Sequence, residues 1–231
     1  MRWAAECAVV IPCLNEQDAI GSLVAAVRQQ LPAVFVVDDG SLDDTAQAAE
    51  AVGATVLRHP VSQGKGAALQ TGWRSVQQNG FKWVLTMDGD GQHSPEDIPN
   101  FLRGAERTRA GLVVGNRMFN PGKMPAVRRV VNWWMSREIS RAAGQELPDT
   151  QCGFRLMNLD CWAAMQIGTT NFEIESEVLL AFARARQKIV FVPVRTIYES
   201  EQSKIHPLRD TIRWFRWWRR ANRLGLAGES R

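Results

Sequence analysis

Short runs of apolar residues alternate along the chain with stretches in which apolar residues recur every three or four positions. The runs are typical of buried β-strands, and they predict strands at residues 7–12, 33–37, 54–57, 82–87 and 112–115. The stretches between them predict amphipathic helices. Strands that are apolar throughout and alternate with helices favour an α/β fold, in which helices cover both faces of a mostly parallel sheet.

The predicted helices begin and end at recognisable residues. The first carries an apolar stripe made of Ile20, Leu23, Val24, Val27 and Leu31. Ser41 and Asp44 predict a capping box for the second helix, and Gly53 predicts its end. The third helix opens at the glycine-rich residues 63–66 and ends near Gly80.

After Arg117 the pattern changes, and the chain becomes less regular. A loop at residues 121–125 leads into a helix whose apolar stripe is Val127, Val130, Val131, Trp134 and Met135. The other face of this helix carries Arg128, Arg129 and Arg137. Beyond it we predict a strand at 154–157, a helix at 175–185 and a last strand at 189–194.

No internal repeat or linker divides the chain, so we predict one domain over residues 1–205 and a tail over residues 206–231. From Pro207 the tail predicts an amphipathic helix with most of its arginines in one sector: Arg209, Arg213, Arg216, Arg220 and Arg223. Its apolar residues fall on another side: Leu208, Ile212, Trp214, Phe215 and Trp218. The indoles favour a helix that lies in a membrane interface. The alternative is a terminal helix docked on its own core.

Composition narrows the class of protein. The chain has 231 residues, of which 45% are hydrophobic and 23% charged, and this excludes a disordered segment, a collagen-like fibre and a disulfide scaffold. The four cysteines lack paired metal-binding spacing, which argues against a structural zinc site. No apolar run reaches the roughly 18 residues that span a bilayer, and no signal peptide opens the chain, so we expect a soluble, cytoplasmic protein. The net charge of +4, with its arginine-rich tail, predicts an anionic partner.

Four polar clusters directly follow predicted strands: Asn15 with Glu16, Asp38 with Asp39, Asp88 with Asp90, and Asn116 with Arg117. The carboxyl ends of parallel strands lie at one edge of a sheet, where ligands bind in folds of this class. The sequence therefore predicts a single active site at that edge.

The acidic pair Asp88 and Asp90 is flanked by glycines that allow a tight turn. Neighbouring carboxylates suit Mg²⁺ or Mn²⁺, ions that usually keep substrate phosphates among their ligands, and Gln92 adds a candidate carbonyl ligand. A calcium loop does not fit, because His93 stands where its glycine belongs and Pro99 where its bidentate glutamate belongs. The alternative is an acidic turn that only ends a strand.

Three further features each have a structural alternative. Asp39 suits a hydrogen bond to a ribose or base, but an acidic residue at this point also suits a turn. Residues 63–66 are not a Walker loop, since His59 occupies the first glycine position, and they predict a helix start near the nucleotide. Arg117 suits a bidentate grip on a phosphate, with a surface salt bridge as the alternative.

Together these motifs resemble those of glycosyltransferase family 2. The resemblance rests on residues 10–16 (VIPCLNE), 37–45 (VDDGSLDDT), 64–66 (GKG) with Gly72, and 87–93 (MDGDGQH) followed by 95–98 (PEDI). Within the family the chain is similar to the dolichol-phosphate mannose synthase and bacterial polyprenyl-phosphate glycosyltransferase branch. That similarity rests on residues 149–155 (DTQCGFR), 172–175 (FEIE) with Glu177, and 203–204 (SK).

The resemblance implies a GT-A fold and a metal-dependent, inverting transfer of a sugar from a nucleotide sugar. It implies that the nucleoside is held by Pro12, Asn15, Glu16 and Asp39, and the metal by Asp88, Asp90 and Gln92. It implies that Arg117 and Lys204 clamp phosphate charge, and that Asp149 and Arg155 line the acceptor side. The candidate substrate-binding residues also include Asp38, Lys65, Arg129 and Ser203. The candidate catalytic residues are Asp90, Arg117, Asp149 and Lys204.

The acceptor class decides whether the protein needs a general base. A phosphate monoester is already largely dianionic at neutral pH, since its second pKa is about 6, and it attacks without a base. A hydroxyl acceptor requires one, and Asp149 is then the candidate.

The expected partners are a GDP- or UDP-linked sugar, a polyprenyl- or dolichyl-type lipid phosphate and the anionic cytoplasmic face of a membrane. The tail helix and the stripe at residues 127–135 would attach the protein peripherally, or a separate membrane-anchoring subunit would do so. One alternative is a family 2 enzyme that acts on a hydroxyl of another lipid or small molecule. The non-enzyme alternative is a basic module that binds membranes or nucleic acid. The acidic pair Asp88 and Asp90 argues against this alternative. Nucleic acid is not an expected partner, because basic and aromatic residues interleave only in the tail.

Overall fold

A computed structural model describes residues 2–122, 124–197 and 207–223, and in the last segment it describes the side chains of residues 212–221. The strands are β1 (Cys7–Cys13), β2 (Val34–Asp38), β3 (Thr55–Arg58), β4 (Trp83–Thr86), β5 (Leu112–Asn116), β6 (Arg155–Asn158) and β7 (Ile189–Pro193). The helices are α1 (Trp3–Glu6), α2 (Gln17–Arg28), α3 (Thr45–Ala51), α4 (Lys65–Gln78), α5 (Ile98–Thr108), α6 (Ala126–Ala143), α7 (Leu159–Ala163), α8 (Ile174–Arg184) and α9 (Pro207–Arg223).

In the described part of the chain the strands form one sheet in the order β3-β2-β1-β4-β6-β5-β7. Strand β6 runs antiparallel to both of its neighbours, and every other neighbouring pair is parallel. Strands β4 and β5 therefore point the same way, and the carboxyl ends of β1, β2, β4 and β5 meet at one edge. We call this edge, with residues 15–16, 38–39, 88–90 and 116–117, the rim. The predicted α/β fold with a mostly parallel sheet is confirmed.

Helices cover both faces of the sheet, and this explains the continuous apolar runs. Residues 7–11 of β1 and all of β2 and β4 are buried, as expected for strands that have no solvent-facing side. The structure adds three helices to those named above. Helix α5 has its apolar residues Ile98, Phe101, Leu102 and Ala105 at the three- and four-residue spacing of an amphipathic helix. Helices α1 and α7 are only four and five residues long, too short to show a repeat.

The capping box predicted at Ser41 is wrong. Helix α3 begins at Thr45, and the side chain of its N-cap residue, Asp44, makes no capping hydrogen bond. The hydroxyl of Ser41 instead accepts the backbone N–H of Asn15 at 2.8 Å. The neighbouring Asp43 accepts the backbone N–H of Thr45 at 3.1 Å. The serine therefore ties the loop after β1 to the loop after β2, two segments of the rim.

Helix α9 is docked on the domain through its tryptophans. Trp214 and Trp218 are only 2% and 7% exposed. The indole N–H of Trp214 donates to the hydroxyl of Ser176 on α8 at 3.0 Å, and its ring meets the Trp134 ring of α6 edge-on at 5.6 Å. The favoured prediction placed these indoles in a membrane interface, and the structure corrects it. They pack on the core of the chain, which was the alternative interpretation.

The described side chains of α9 agree with the predicted arginine face. Arg216, Arg219 and Arg220 are exposed, and Arg213 lies 3.9 Å from a carboxylate oxygen of Glu173. Leu208, Arg209 and Arg223 have side chains outside the described set.

Helix α6 divides the apolar stripe that the sequence predicted for it. Met135 is buried and Trp134 is half-buried, so both pack inward. Val127 and Val130 are 74% and 63% exposed, and Trp133 is 53% exposed. We call Val127, Val130 and Trp133 the outer face of α6. One stripe therefore serves two purposes, because part of it builds the core and part of it faces away from the domain.

Cations and a second aromatic ring border the outer face. The guanidinium of Arg137 lies 5.4 Å from the centre of the Trp133 ring, a cation–π distance. Arg129 is exposed on the same helix. The partly exposed Phe215 of α9 stacks on Trp134 at 4.8 Å and extends the apolar surface. Among the described residues, no helix combines the length and hydropathy needed to cross a bilayer.

Candidate active site

Asp39 organises the loop that leads into α4. Its carboxylate accepts the hydroxyl of Ser62 at 2.7 Å and the backbone N–H groups of Gln63 and Gly64, each at 2.9 Å, and it lies 2.6 Å from Nδ1 of His59. Burial alone would raise the pKa of Asp39, but these hydrogen bonds hold it below its usual range. A carboxylate offers about four acceptor positions, and these four contacts use them. Asp39 therefore positions the loop, and its direct contact with a nucleoside stays a prediction.

The loops after β1 and β2 hold each other in place. Asn15 has a positive φ of 54°, and its side-chain carbonyl accepts the backbone N–H of Leu42 at 2.9 Å. Asp38 is buried and accepts the backbone N–H of Ser41 at 2.9 Å, while the backbone N–H of Glu16 donates to Thr45 at 2.8 Å. Pro12 pairs with Val37 in the sheet and lies near the end of β1, just before these loops. The structure therefore brings the predicted nucleoside-binding residues together at the rim.

Lys65, the first residue of α4, forms ion pairs with two carboxylates from distant parts of the sequence. Its ammonium lies 2.6 Å from Asp88 Oδ1 and 2.8 Å from Glu175 Oε1. Burial opposes the charge of Lys65, but the two carboxylates outweigh burial and raise the pKa of its ammonium. Burial would raise the pKa of Asp88, yet Lys65 outweighs it and lowers that pKa to about 2. Lys65 is therefore an ammonium fixed against the first residue of the acidic pair.

The ion pair between Lys65 and Asp88 fits because the backbone lies close to it at two glycines. A Cβ on Gly153 would lie 2.7 Å from both carboxylate oxygens of Asp88, so only glycine leaves room for that side chain. A Cβ on Gly66 would lie 2.7 Å from the carbonyl oxygen of Thr169, because the segment before α8 is pressed against the start of α4. Glu177 holds that segment by accepting the backbone N–H and hydroxyl of Thr169 at 2.9 and 2.6 Å.

Asp90 is the more open member of the acidic pair. One of its oxygens accepts the backbone N–H of Gln92 at 3.1 Å. Burial, and then the negative charge of Asp88, raise the pKa of Asp90, as expected for neighbouring carboxylates. His93 stabilises the turn that contains Asp88 and Asp90. Its Nδ1 accepts the backbone N–H of Asp88 at 3.2 Å, and its ring stacks on Phe154. Burial lowers the pKa of His93, which keeps its ring neutral.

Two carboxylates and a nearby amide suit an ion that completes its shell with phosphate oxygens. Among the described residues, no group of three or more His, Cys, Asp or Glu side chains is arranged to hold a metal ion by itself. Mg²⁺ is usually bound by one or two carboxylates together with substrate phosphates, so such a group is not required. The donor set of Asp88, Asp90 and Gln92 therefore fits Mg²⁺ or Mn²⁺ bound together with a diphosphate.

Arg117 is fixed at the end of β5 by a fully buried carboxylate. Its Nε and Nη2 donate to the two oxygens of Asp149, each at 2.9 Å, and its backbone N–H donates to the same group at 2.9 Å. Asn132 of α6 donates to Asp149 at 2.9 Å as well. Burial would raise the pKa of Asp149, but Arg117 and Asn132 hold it below its usual range. The acid therefore orients Arg117, and its role as a general base toward a hydroxyl acceptor stays a prediction.

The remaining predicted residues have mixed placements. Arg155 is buried, and its three guanidinium nitrogens donate to the carbonyls of Cys152, Thr150 and Glu175. Its predicted place on the acceptor side stays a prediction. Arg129 is exposed on α6. Ser203 and Lys204 lie outside the described residues.

A family model described as glycosyl transferase family 2 matches residues 8–161, a span that contains the rim, the acidic pair and Asp149. The chain belongs to glycosyl transferase family 2. The resemblance found in the motifs is thereby confirmed, and the chain is a glycosyltransferase.

Named relatives and solved structures agree with this family. An undecaprenyl-phosphate mannosyltransferase of Micrococcus luteus is 32% identical over 84% of this chain and 86% of that protein. A UDP-N-acetylglucosamine–dolichyl-phosphate N-acetylglucosaminyltransferase of Methanococcus voltae is 26% identical over 82% and 85%, respectively. The solved structure of glucosyl-3-phosphoglycerate synthase from Mycobacterium tuberculosis, in complex with Mn²⁺, UDP and phosphoglyceric acid, covers 97% of this chain and 79% of its own. Its TM-score is 0.72 at 23% identity, which confirms the GT-A fold.

The motifs did not assign a role to four polar residues of this family 2 site. Glu175 and Asn132 complete the two ion-pair clusters, and His59 and His93 support Asp39 and Asp88. Glu175 lies within a motif that carried the resemblance, so a signal for it existed. Asn132 is one polar position on the buried side of α6, and this pattern does not distinguish it from an ordinary buried amide.

Proposed function

We propose that this glycosyltransferase moves a sugar from a nucleotide diphosphate sugar to a lipid phosphate at a membrane surface, with Mg²⁺ or Mn²⁺ at the acidic pair. The donor is a UDP- or GDP-linked sugar. The acceptor is a polyprenyl- or dolichyl-type phosphate, the class named for two of the relatives above.

The observation that carries the acceptor class is the state of Asp149. A hydroxyl acceptor needs a general base, and this carboxylate was the candidate. It is buried, both of its oxygens accept hydrogen bonds from Arg117 or Asn132, and its pKa is lowered, so it has little capacity to take a proton at neutral pH. A phosphate acceptor with a second pKa of about 6 needs no base, because it is already a dianion.

On the donor side the chain supplies charge that is in place before substrate arrives. Asp88, Asp90 and Gln92 are the residues that hold the divalent ion. Once bound, such an ion stabilises the negative charge of the departing nucleoside diphosphate. Lys65 and Arg117 add fixed positive charge at the same rim, and each is oriented by a buried carboxylate, Glu175 for Lys65 and Asp149 for Arg117. Groups oriented in advance stabilise developing charge without reorganising during the reaction.

The two sides of α6 support a lipid acceptor. On its inner side Asn132 donates to Asp149, which orients Arg117, and on its outer face Val130 and Trp133 are exposed beside Arg137. Apolar residues bordered by arginines suit the surface of an anionic membrane. A helix with its side chains is about 10 Å across, so a lipid headgroup at the outer face is about that far from Asn132 and the Asp149 carboxylate that it contacts.

The test is a turnover assay with UDP- and GDP-linked sugars, each offered polyprenyl phosphate or the matching polyprenol, with Mg²⁺, Mn²⁺ or a chelator. We expect transfer to the phosphate and its loss in the chelator. Transfer to the polyprenol alone would contradict the phosphate acceptor, and unchanged turnover in the chelator would contradict the metal.

Asp90→Asn provides the internal control for this assay. We expect it to lower turnover by at least about a hundredfold, since it removes a charge that supports the departing diphosphate. Asp160→Asn, at an exposed aspartate of α7 next to the opposite end of the sheet, is the matched variant and should retain full turnover. Equal turnover in the wild type and Asp90→Asn would contradict the proposed donor site.

A further inference from the structure

Lys65, Asp88 and Glu175 form a partly buried cluster that joins three elements. Lys65 opens α4, Asp88 follows β4, and Glu175 lies in the first turn of α8. The ammonium contacts one oxygen of each carboxylate, at 2.6 and 2.8 Å. Its distance to the centre of the Phe172 ring is 5.4 Å, so an aromatic ring also borders it. These contacts fix the ammonium beside the acidic pair in the ligand-free chain.

The second oxygen of Glu175 shows how much this cluster depends on Lys65. Glu175 Oε2 is buried and has no hydrogen-bond partner among the described residues. Arg155 donates to the backbone carbonyl of Glu175 at 2.6 Å, so that hydrogen bond does not reach the carboxylate. The one hydrogen-bonded contact described for this carboxylate is therefore the Lys65 ammonium.

The charges of the cluster have opposite effects on the two ions that a donor site must bind. Two carboxylates and one ammonium leave a net charge of −1. The ammonium repels a divalent cation and attracts a diphosphate, and the Glu175 carboxylate does the reverse. Charges a few ångströms apart in a partly buried site interact by several kcal/mol at an effective dielectric constant of about 20, so these effects are large enough to measure.

We propose that Lys65 is a counter-ion built into the donor site and that Glu175 is its positioning residue. Lys65 lowers the affinity of the rim for a free divalent cation and raises its affinity for a diphosphate. Glu175 has the reverse effects, so the pair balances the affinity of the rim for the two ions that it binds together. The inference rests on the proposed donor site. It assigns Glu175 a role that acts through Lys65 rather than through direct contact with substrate.

Two variants change the net charge of the cluster in opposite directions. Lys65→Met takes it from −1 to −2, and Glu175→Gln takes it to 0 while keeping the shape of the side chain. Binding of Mn²⁺ alone and of inorganic pyrophosphate alone is measured by calorimetry for each purified variant, and its fold is checked by circular dichroism. Lys82→Met, at an exposed lysine just before β4 and remote from the rim, is the matched control.

We expect the two variants to change the binding of Mn²⁺ and of pyrophosphate in opposite directions. Lys65→Met should bind Mn²⁺ about tenfold more tightly and pyrophosphate at least about tenfold more weakly than the wild type. Glu175→Gln should do the opposite, with weaker Mn²⁺ and tighter pyrophosphate binding, and Lys82→Met should change neither. A merely structural role predicts weaker binding of both ions in both variants, because a disordered site loses both.

Two failures are distinguishable. Mn²⁺ binding to the wild type that Asp90→Asn does not weaken would contradict the proposed donor site itself. Mn²⁺ binding that Asp90→Asn does weaken, combined with effects of the same sign for both ions in Lys65→Met and Glu175→Gln, would keep the donor site and overturn the counter-ion. If Lys65→Met does not fold, the crossed signs in Glu175→Gln decide the matter alone.

Discussion

The inner side of α6 reaches the rim through Asn132 and Asp149, and its outer face is exposed, and these two regions are built in opposite ways. At the rim, charged side chains such as Asp39, Lys65 and Asp149 are already paired within the chain. On the outer face, Val130 and Trp133 are exposed and pack on no described core. The described residues of the rim are therefore held by contacts within the chain, whereas the outer face is an apolar surface that no described residue covers. Changes at the rim should affect chemistry, and changes on the outer face should affect attachment.

The largest expected effect belongs to Asp149→Asn. Without the carboxylate, Arg117 loses the charge that orients it, and we expect turnover to fall by about a hundredfold. Breaking a buried ion pair from one side also costs about 3 kcal/mol of unfolding free energy. Turnover and chemical denaturation measure the two effects. Vesicle binding should be unchanged, and a variant that lost binding to vesicles together with turnover would break the separation between the two regions.

The next largest effect concerns the tail helix. Trp218→Ala removes an almost fully buried indole, and such truncations cost about 3 kcal/mol or more. We expect α9 to detach first, which hydrogen exchange along residues 207–223 would detect. Arg220→Ala, at an exposed position of the same helix, is the control and should leave exchange unchanged. Rapid exchange of α9 in the wild type would contradict the docked helix.

A smaller effect is expected from the outer face. The double variant Val130→Ser and Trp133→Ser should weaken binding to anionic vesicles by about tenfold, since it removes exposed apolar area at the proposed membrane contact. Turnover of a soluble phosphate acceptor should be unchanged. Leu42→Ser, at an exposed leucine away from α6, is the matched control. If Leu42→Ser weakened vesicle binding equally, the outer face would not be the contact.

The smallest effect is a dependence on pH. Because Arg117 and Asn132 hold the pKa of Asp149 below its unfolded value of about 3.9, this group stabilises the fold fully above that value. The contribution is lost as the pH falls from there through the lowered native pKa. Denaturation at pH 7 and pH 3 should therefore show a smaller loss of stability in Asp149→Asn than in the wild type. An equal loss in both would contradict the lowered pKa.

Much of the fold could be predicted, because buried parallel strands must be apolar throughout. The same geometry predicted the rim, since polar clusters that follow parallel strands have to meet at one edge. The partners within the rim could not be predicted in this way. The spacing of residues gives no indication that Lys65 pairs with Glu175 rather than with another acid, because their contact depends on how α8 packs against the start of α4.

Amphipathic patterns left a different ambiguity. A helix with tryptophans on one side and arginines on the other suits a membrane interface as well as a docked position, and hydropathy alone does not separate the two. Trp214 is buried because Trp134 and Ser176 offer its ring and its N–H a partner, and those residues are distant in sequence. Asp39 shows the same limit, since its position indicated a ligand contact while His59, Ser62 and the next loop used its oxygens.

Strand β6 has a consequence for the order in which the molecule is assembled. It lies between β4 and β5 and pairs with both, although it is synthesised after both of them. While a ribosome is still synthesising the chain, β5 has no neighbour to join until residues 155–158 emerge, and Lys65 waits longer still for α8. The half of the sheet that carries Arg117 is thus finished late, and a nascent chain that stalls after β5 exposes an open sheet edge at β4.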